Sequence, residues 1–184
     1  MANQAGREAE DHLLSTPEAD LPKLAAELQV LALAREITVA TAESCTGGLV
    51  GHSITANPGS SAFYRGGVIA YADDVKTELL GVPAAAIERH GAVSAQVAVA
   101  MAEGVRSRIG ADLGAAVTGV AGPEGGSDAK PVGLTYVATA GPAGHEVRRH
   151  VWDGDRAHNK DRSAAEALEL LNAVLAQSDL REDE

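Results

Sequence analysis

Residues Thr38 to Gly48 read TVATAESCTGG, setting Ser44, Cys45 and Thr46 side by side between an apolar run and a glycine pair. A strand that gives way to a helix at this point leaves the first helical N–H groups without backbone partners. Those groups and the helix dipole favour negative charge, so a nucleophile here has oxyanion stabilisation within reach. Gly47 and Gly48 would let a substrate approach the backbone closely. A plainer reading competes: Ser44 or Thr46 only caps the helix, which is the commoner use of such residues. Cys45 is the rival nucleophile, because a helix N-terminus lowers a thiol pKa. A lone cysteine is more often a small buried hydrophobe.

A serine nucleophile needs a base. The six histidines are scattered without triad-like context, and none pairs with Ser44 by sequence. Lysine is the alternative. Lys76 precedes Leu79 and Leu80 by three and four residues and so borders the apolar face of a short helix. Apolar surroundings lower a lysine pKa toward that of a usable base, although a snorkelling lysine is the everyday outcome. Tyr71, near the end of the preceding strand, could relay a proton or simply pack with its hydroxyl wet. Downstream, the loop after AAVTGV offers Thr118, Gly119, Gly122, Gly125 and Gly126, and glycines there could turn N–H groups toward an anion. It fits neither a Walker nor a Rossmann pattern and serves equally as a flexible connector. Arg156, at the start of the last helix, either pairs with Asp153 and Asp155 or holds a phosphate or carboxylate.

These residues need a scaffold to bring them together. Met1 to about Asp20 is polar and patternless, an extension outside the fold. Pro22 opens a helix with Leu24, Leu28 and Leu31 on one face. Ile37 to Ala42 reads as a first strand, Gly47 to Ile54 as a helix and Gly66 to Ala72 as a second strand. DDVKTELLGV follows as a helix with an Asp start and a Gly stop. Further helices begin at Pro83 and after the Ser94 cap. Strands are expected over Asp112 to Val120, Leu134 to Ala140 and about Glu146 to Trp152. A last helix capped by Asp155 runs to about Ala176, before an acidic tail over 177–184. The expected fold is a single three-layer α/β domain over residues 21–176, with a mixed, mostly parallel sheet flanked by helices.

Composition bounds the function. The formal charge of -11 supplies no basic excess for nucleic acid or for an anionic membrane. One cysteine excludes an internal disulfide and a Cys-built zinc site. No apolar stretch is long enough to span a bilayer, so a cytoplasmic protein is expected.

Taken together, AESCTGG, GGVIAYADDVKTELLGV, HGAVS, TGVAGPEGGS, KPVGLTYVA and GDR occur in the order and at about the spacing of one family. Over roughly Leu21 to Ala176 the chain resembles the CinA C-terminal domain family. Stand-alone members of that family resemble nicotinamide-nucleotide amidases, which convert nicotinamide mononucleotide to nicotinate mononucleotide and ammonia in pyridine-nucleotide recycling. The resemblance implies Ser44 as catalytic serine, Lys76 as its base and Tyr71 as a helper. It also implies a nucleotide-binding set of Cys45, Thr46, Gly47, Gly48, Thr118, Gly119, Gly122 and Arg156. No metal or cofactor is implied, and a homo-oligomer is expected. Many relatives carry a second arginine four residues after the GDR arginine; here that position is Lys160, which keeps the charge but not the bidentate fork. Longer members carry a further N-terminal domain resembling molybdopterin-binding proteins, whose activities are not carried over. The alternative reading is a non-catalytic nucleotide-binding or interaction module linked to competence or DNA damage.

Overall fold

The computed structural model describes residues 20–177. Except for Asp20 and Gln177, the extension and the acidic tail expected from sequence lie outside the described residues. Helix α1 (Leu21–Ala34) starts on the Asp20 carboxylate, which accepts from the Lys23 N–H at 3.0 Å. It buries Ala25, Leu28 and Ala32, spaced three and four apart. Strand β1 (Val39–Glu43) is buried along its whole length. Helix α2 (Leu49–Thr55) follows, then β2 (Tyr64–Ile69), α3 (Asp73–Leu80), α4 (Ala84–His90) and α5 (Ala95–Ile109). Strand β3 (Leu113–Gly119), the β4 (Leu134–Gly141) and β5 (Gly144–Val151) hairpin, and α6 (Arg156–Gln177) complete the described chain.

The sheet order is β2-β1-β3-β4-β5. β1 pairs in parallel with both β2 and β3, and β4 pairs antiparallel with β3 and β5. Within this sheet β4 therefore runs against the other strands, which is the mixed, mostly parallel arrangement the sequence suggests. Side chains alternate along each strand, so the central strands β1, β3 and β4 feed two cores. Val39, Leu113, Ala115, Val117 and Val137 face α1, α2 and α6. Ala40, Ala42, Ala116, Ala138 and Ala140 face α5 and its neighbours. The second face is built from small residues, so α5 lies close to the sheet. A Cβ on Gly114 would strike the Ala102 carbonyl, and one on Gly104 would strike that of Leu80.

Several boundaries differ from the sequence reading. β1 begins two residues later and extends to Glu43, because Thr38 is tied to Asp112 while Glu43 still pairs with Val117. β2 begins at Tyr64, opposite Val39, and ends at Ile69, which leaves Tyr71 in the β2–α3 connection rather than on a strand. α2 begins at Leu49 because Gly47 and Gly48 hold φ of 65° and 101°, outside the helical region. Ala72, not Asp73, occupies the N-cap position of α3, and the Asp73 carboxylate turns toward Lys76 instead.

The chain leaves β1 for β2 on one side and reaches β3 on the other. The carboxyl end of β1 is thus the point where the order of the sheet reverses. In open α/β sheets that reversal opens a crevice above the strand ends. Ser44 is the first residue past it.

Candidate active site

Ser44 continues the ladder, its N–H donating to the Val117 carbonyl at 2.9 Å. The chain then turns through Cys45 to Gly48 into α2. The cap of that helix is neither Ser44 nor Thr46, as sequence suggested, but Glu43. One Glu43 oxygen accepts from the Gly48 N–H at 2.9 Å and the Val50 N–H at 3.1 Å; the other accepts from the Gly51 N–H at 2.8 Å. The Thr46 hydroxyl donates to the same carboxylate at 2.7 Å. Only 2% of Glu43 is exposed, so its charge is balanced by these donors and by the positive end of α2. Ser44 is thereby released from capping, and its Oγ makes no hydrogen bond among the described residues.

A cavity of about 210 Å³ opens at this crevice, and Ser44, Tyr71, Asp73, Lys76, Thr118 and Arg156 are among the residues lining it. No histidine lines it. Lys76 is 1% exposed. Its Nζ donates to the Tyr71 carbonyl at 3.1 Å and to Asp73 Oδ1 at 3.2 Å. Leu80 enters the core below, whereas Leu79 faces solvent, so the amine lies against polar partners as well as apolar ones. The Ser44 hydroxyl and the Lys76 amine share the cavity but are not hydrogen-bonded to one another. A wider groove of about 430 Å³ lies along the outer face of α1. It is lined by Lys23, Ala26, Glu27, Val30 and Leu31, a set without a hydroxyl or a thiol.

Arg156 closes the opposite wall. Its Nη1 donates to the Gly122 carbonyl at 2.7 Å and its Nη2 to the Tyr71 hydroxyl at 3.2 Å. It does not pair with Asp153 or Asp155; the Asp155 carboxylate caps α6 by accepting from the His158 N–H at 2.9 Å. Tyr71 thus joins Lys76 through its carbonyl and Arg156 through its hydroxyl, while 60% of the residue stays exposed. Thr118 is buried, and its hydroxyl donates to the Ala92 carbonyl at 2.9 Å, fixing the loop between α4 and α5. Lys130 holds the same loop by donating to the His90 carbonyl at 2.5 Å.

Cys45 also lines the cavity, but burial pushes its thiol up to about 12, outweighing the backbone N–H groups of Cys45 and Thr46 that face the sulfur. Of the two readings of Cys45, burial favours the small buried hydrophobe over the activated thiol, since desolvation outweighs the helix N-terminus. Gly119 backs onto the same sulfur, which lies 3.1 Å from where its Cβ would stand. Thr46, Gly47, Gly48 and Gly122 are not among the lining residues. The N–H of Gly47 is taken by the Ser44 carbonyl and that of Gly48 by Glu43. The N–H groups of Cys45 and Thr46 make no hydrogen bond to a backbone or side-chain oxygen among the described residues.

Sequence reasoning missed Glu43, Asp73 and Asn159. Glu43 was detectable as an acid ending an apolar run, a position that demands compensation. Asn159 is buried on α6; its Nδ2 donates to the carbonyls of Ala121 at 3.1 Å and Gly154 at 2.9 Å, while its Oδ1 accepts from the Gly154 N–H at 3.1 Å. It clasps the glycine loop to the turn that carries Arg156. Its signal was a polar residue four positions before the buried Ser163, on the face of α6 that meets the sheet.

Comparison with known proteins agrees with this architecture. The model of the CinA C-terminal domain matches residues 21–175. A CinA-like protein of Synechococcus sp. (strain RCC307) is 56% identical over 146 residues, covering 77% of this chain and 34% of its own length. One from Salinibacter ruber is 50% identical over 143 residues, covering 78% and 35%. The chain therefore spans about a third of the length of these curated relatives. Among solved structures, a CinA superfamily protein from Klebsiella pneumoniae superposes with a TM-score of 0.83 at 32% identity, covering 86% of this chain and 99% of the other. The competence/damage inducible protein CihA from Agrobacterium tumefaciens gives 0.80 at 40% identity, covering 86% and 96%.

Proposed function

Since the chain belongs to the CinA C-terminal domain family, we propose that it is a serine amidase that converts nicotinamide mononucleotide to nicotinate mononucleotide and ammonia. The observation that carries this reading is one cavity lined by Ser44, Lys76, Tyr71 and Arg156. It combines a serine hydroxyl without a hydrogen bond among the described residues, a buried amine and a guanidinium suited to phosphate.

In the reaction, Lys76 leaves Asp73, releases one proton to solvent and turns to Ser44, a swing that its four-carbon stem permits. Its neutral amine takes the Ser44 proton as Oγ bonds to the carboxamide carbon. The oxygen of the tetrahedral intermediate carries the resulting charge, and the N–H groups of Cys45 and Thr46 turn to it from the Cys45 sulfur, a weak acceptor. Lys76 returns the proton to the leaving nitrogen, and ammonia departs as the C–N bond breaks. Water then attacks the Ser44 ester, giving its proton to Lys76. Collapse of the second intermediate frees the acid and restores the serine hydroxyl. Arg156 binds the phosphate end beside Gly119 and Ala121, which line the cavity with it, and Tyr71, bonded to Lys76 and to Arg156, orders the base.

The test is ammonia release from the mononucleotide. Ser44→Ala and Lys76→Ala are each expected to lose roughly three orders of magnitude or more in kcat/KM, as when members of a catalytic unit are removed. Cys45→Ala is expected to keep its activity. Full activity of Ser44→Ala would sink the mechanism, and nucleotide binding without turnover by the unaltered protein would favour a non-catalytic module.

A further inference from the structure

The amine assigned as base contacts a carboxylate rather than the serine. Asp73 Oδ1 lies 3.2 Å from Lys76 Nζ, and Asp73 lines the same cavity. This ion pair must open before Lys76 can serve Ser44, and a neutral lysine leaves the Asp73 charge uncompensated. The cavity thus has an anion at the Lys76 end and a guanidinium, Arg156, at the other, with the exposed Tyr71 between them. A ligand that matches this layout carries a positive charge close to its amide and a negative charge further away. The face of Tyr71 would add cation–π attraction to such a positive group.

Resting on the proposed amidase activity, we propose that Asp73 is a specificity determinant that receives the cationic ring of an N-substituted pyridinium carboxamide in exchange for the Lys76 ammonium. Ring and ammonium repel one another beside one carboxylate, so ring binding displaces Lys76 toward Ser44. A neutral carboxamide cannot make the exchange and leaves the ion pair closed. The site therefore selects its substrate by ring charge as well as by phosphate.

The experiment compares nicotinamide mononucleotide with its 1,4-dihydro form, which has the same ribose, phosphate and carboxamide but an uncharged ring. Binding is measured by calorimetry in a Ser44→Ala background, with and without Asp73→Asn. Asparagine keeps an oxygen that can accept from Lys76 and removes the charge. The Asp73 side chain is 58% exposed, so the fold tolerates the change. The expected result is a preference of about tenfold for the charged ring that falls to about twofold or less with Asp73→Asn, the size of one partly screened charge pair. In turnover by the serine-containing enzyme, Asp73→Asn should lower kcat/KM for the oxidised nucleotide more than for the reduced one. The intrinsic reactivities of the two rings cancel in that ratio of ratios. Equal affinities for the two rings, or a preference unchanged by Asp73→Asn, overturns the proposal, as does failure of both nucleotides to bind. A charge preference that Asp73→Asn erases, without ammonia release by the unaltered protein, leaves the proposal standing and overturns the amidase instead.

Discussion

At the residue scale, adjacent side chains in one turn have opposite fates. Ser44 faces the cavity with its hydroxyl uncommitted, while the Cys45 thiol next to it is held protonated by desolvation. A thiol pushed up to about 12 presents almost no thiolate at neutral pH, and the thiolate is the reactive form. Cys45 is therefore expected to resist iodoacetamide in the native protein near neutral pH and to alkylate rapidly once urea unfolds the chain. Mass spectrometry of the two reactions checks this, and fast native alkylation would contradict the burial argument. Local sequence showed which residues could act but not which way each faced. Three consecutive polar side chains look alike until the turn assigns one to the cavity, one to the core edge and one to Glu43.

At the element scale, the start of α2 depends on a residue of the preceding strand. Glu43 collects three backbone N–H groups and a hydroxyl, so the helix is anchored to the sheet rather than capped by its own first residues. The anchor leaves Ser44 free and fixes the path of the Cys45–Gly48 turn. Glu43→Gln replaces a charged acceptor of several donors by a neutral amide whose NH2, in either orientation, faces a backbone N–H. The expected cost is about 2–4 kcal/mol, read as a lower urea midpoint at unchanged m-value. A midpoint equal to that of the unaltered protein would show that the carboxylate is not the anchor. The sequence did reveal α2 and both strands beside it, because apolar runs and glycine turns are local signals. It assigned the cap to the wrong residue because Glu43 reaches α2 across a turn, beyond the spacing of an N-cap side chain.

At the scale of the whole molecule, the far end of the sheet is held by a contact between residues 74 apart in sequence. Asp112 Oδ2 accepts from the Thr38 N–H at 2.8 Å and from its hydroxyl at 2.6 Å, joining the start of β1 to the start of β3. These bonds hold the Asp112 carboxyl below the usual carboxylate range. A depressed carboxyl stabilises the fold above its unfolded pKa, and that contribution disappears as pH falls through the folded value. The stability gap between the unaltered protein and Asp112→Asn should be full at neutral pH and close progressively as pH falls through the ordinary carboxylate range and then through the lower folded value. Urea titrations across that range measure it, and a gap independent of pH would refute the linkage. The net charge of -11 disfavours a phosphorylated ligand at long range, so the proposed substrate would depend on Arg156 acting at short range.

The amino-acid sequence by itself determined the α/β class, the order of the elements and the residue types on which amide chemistry could rest. Periodicity, turns and caps are properties of neighbours along the chain, and the motifs retain their spacing. Tertiary structure alone decided that Ser44, Lys76 and Arg156 meet in one cavity, that Glu43 caps α2, and that Lys76 rests on Asp73. The meeting of Ser44, Lys76 and Arg156 depends on the reversal of sheet order at β1, which brings segments more than a hundred residues apart to a single crevice. Local patterns carry no record of that reversal. The burial that silences Cys45 likewise exists only once the core has closed around it.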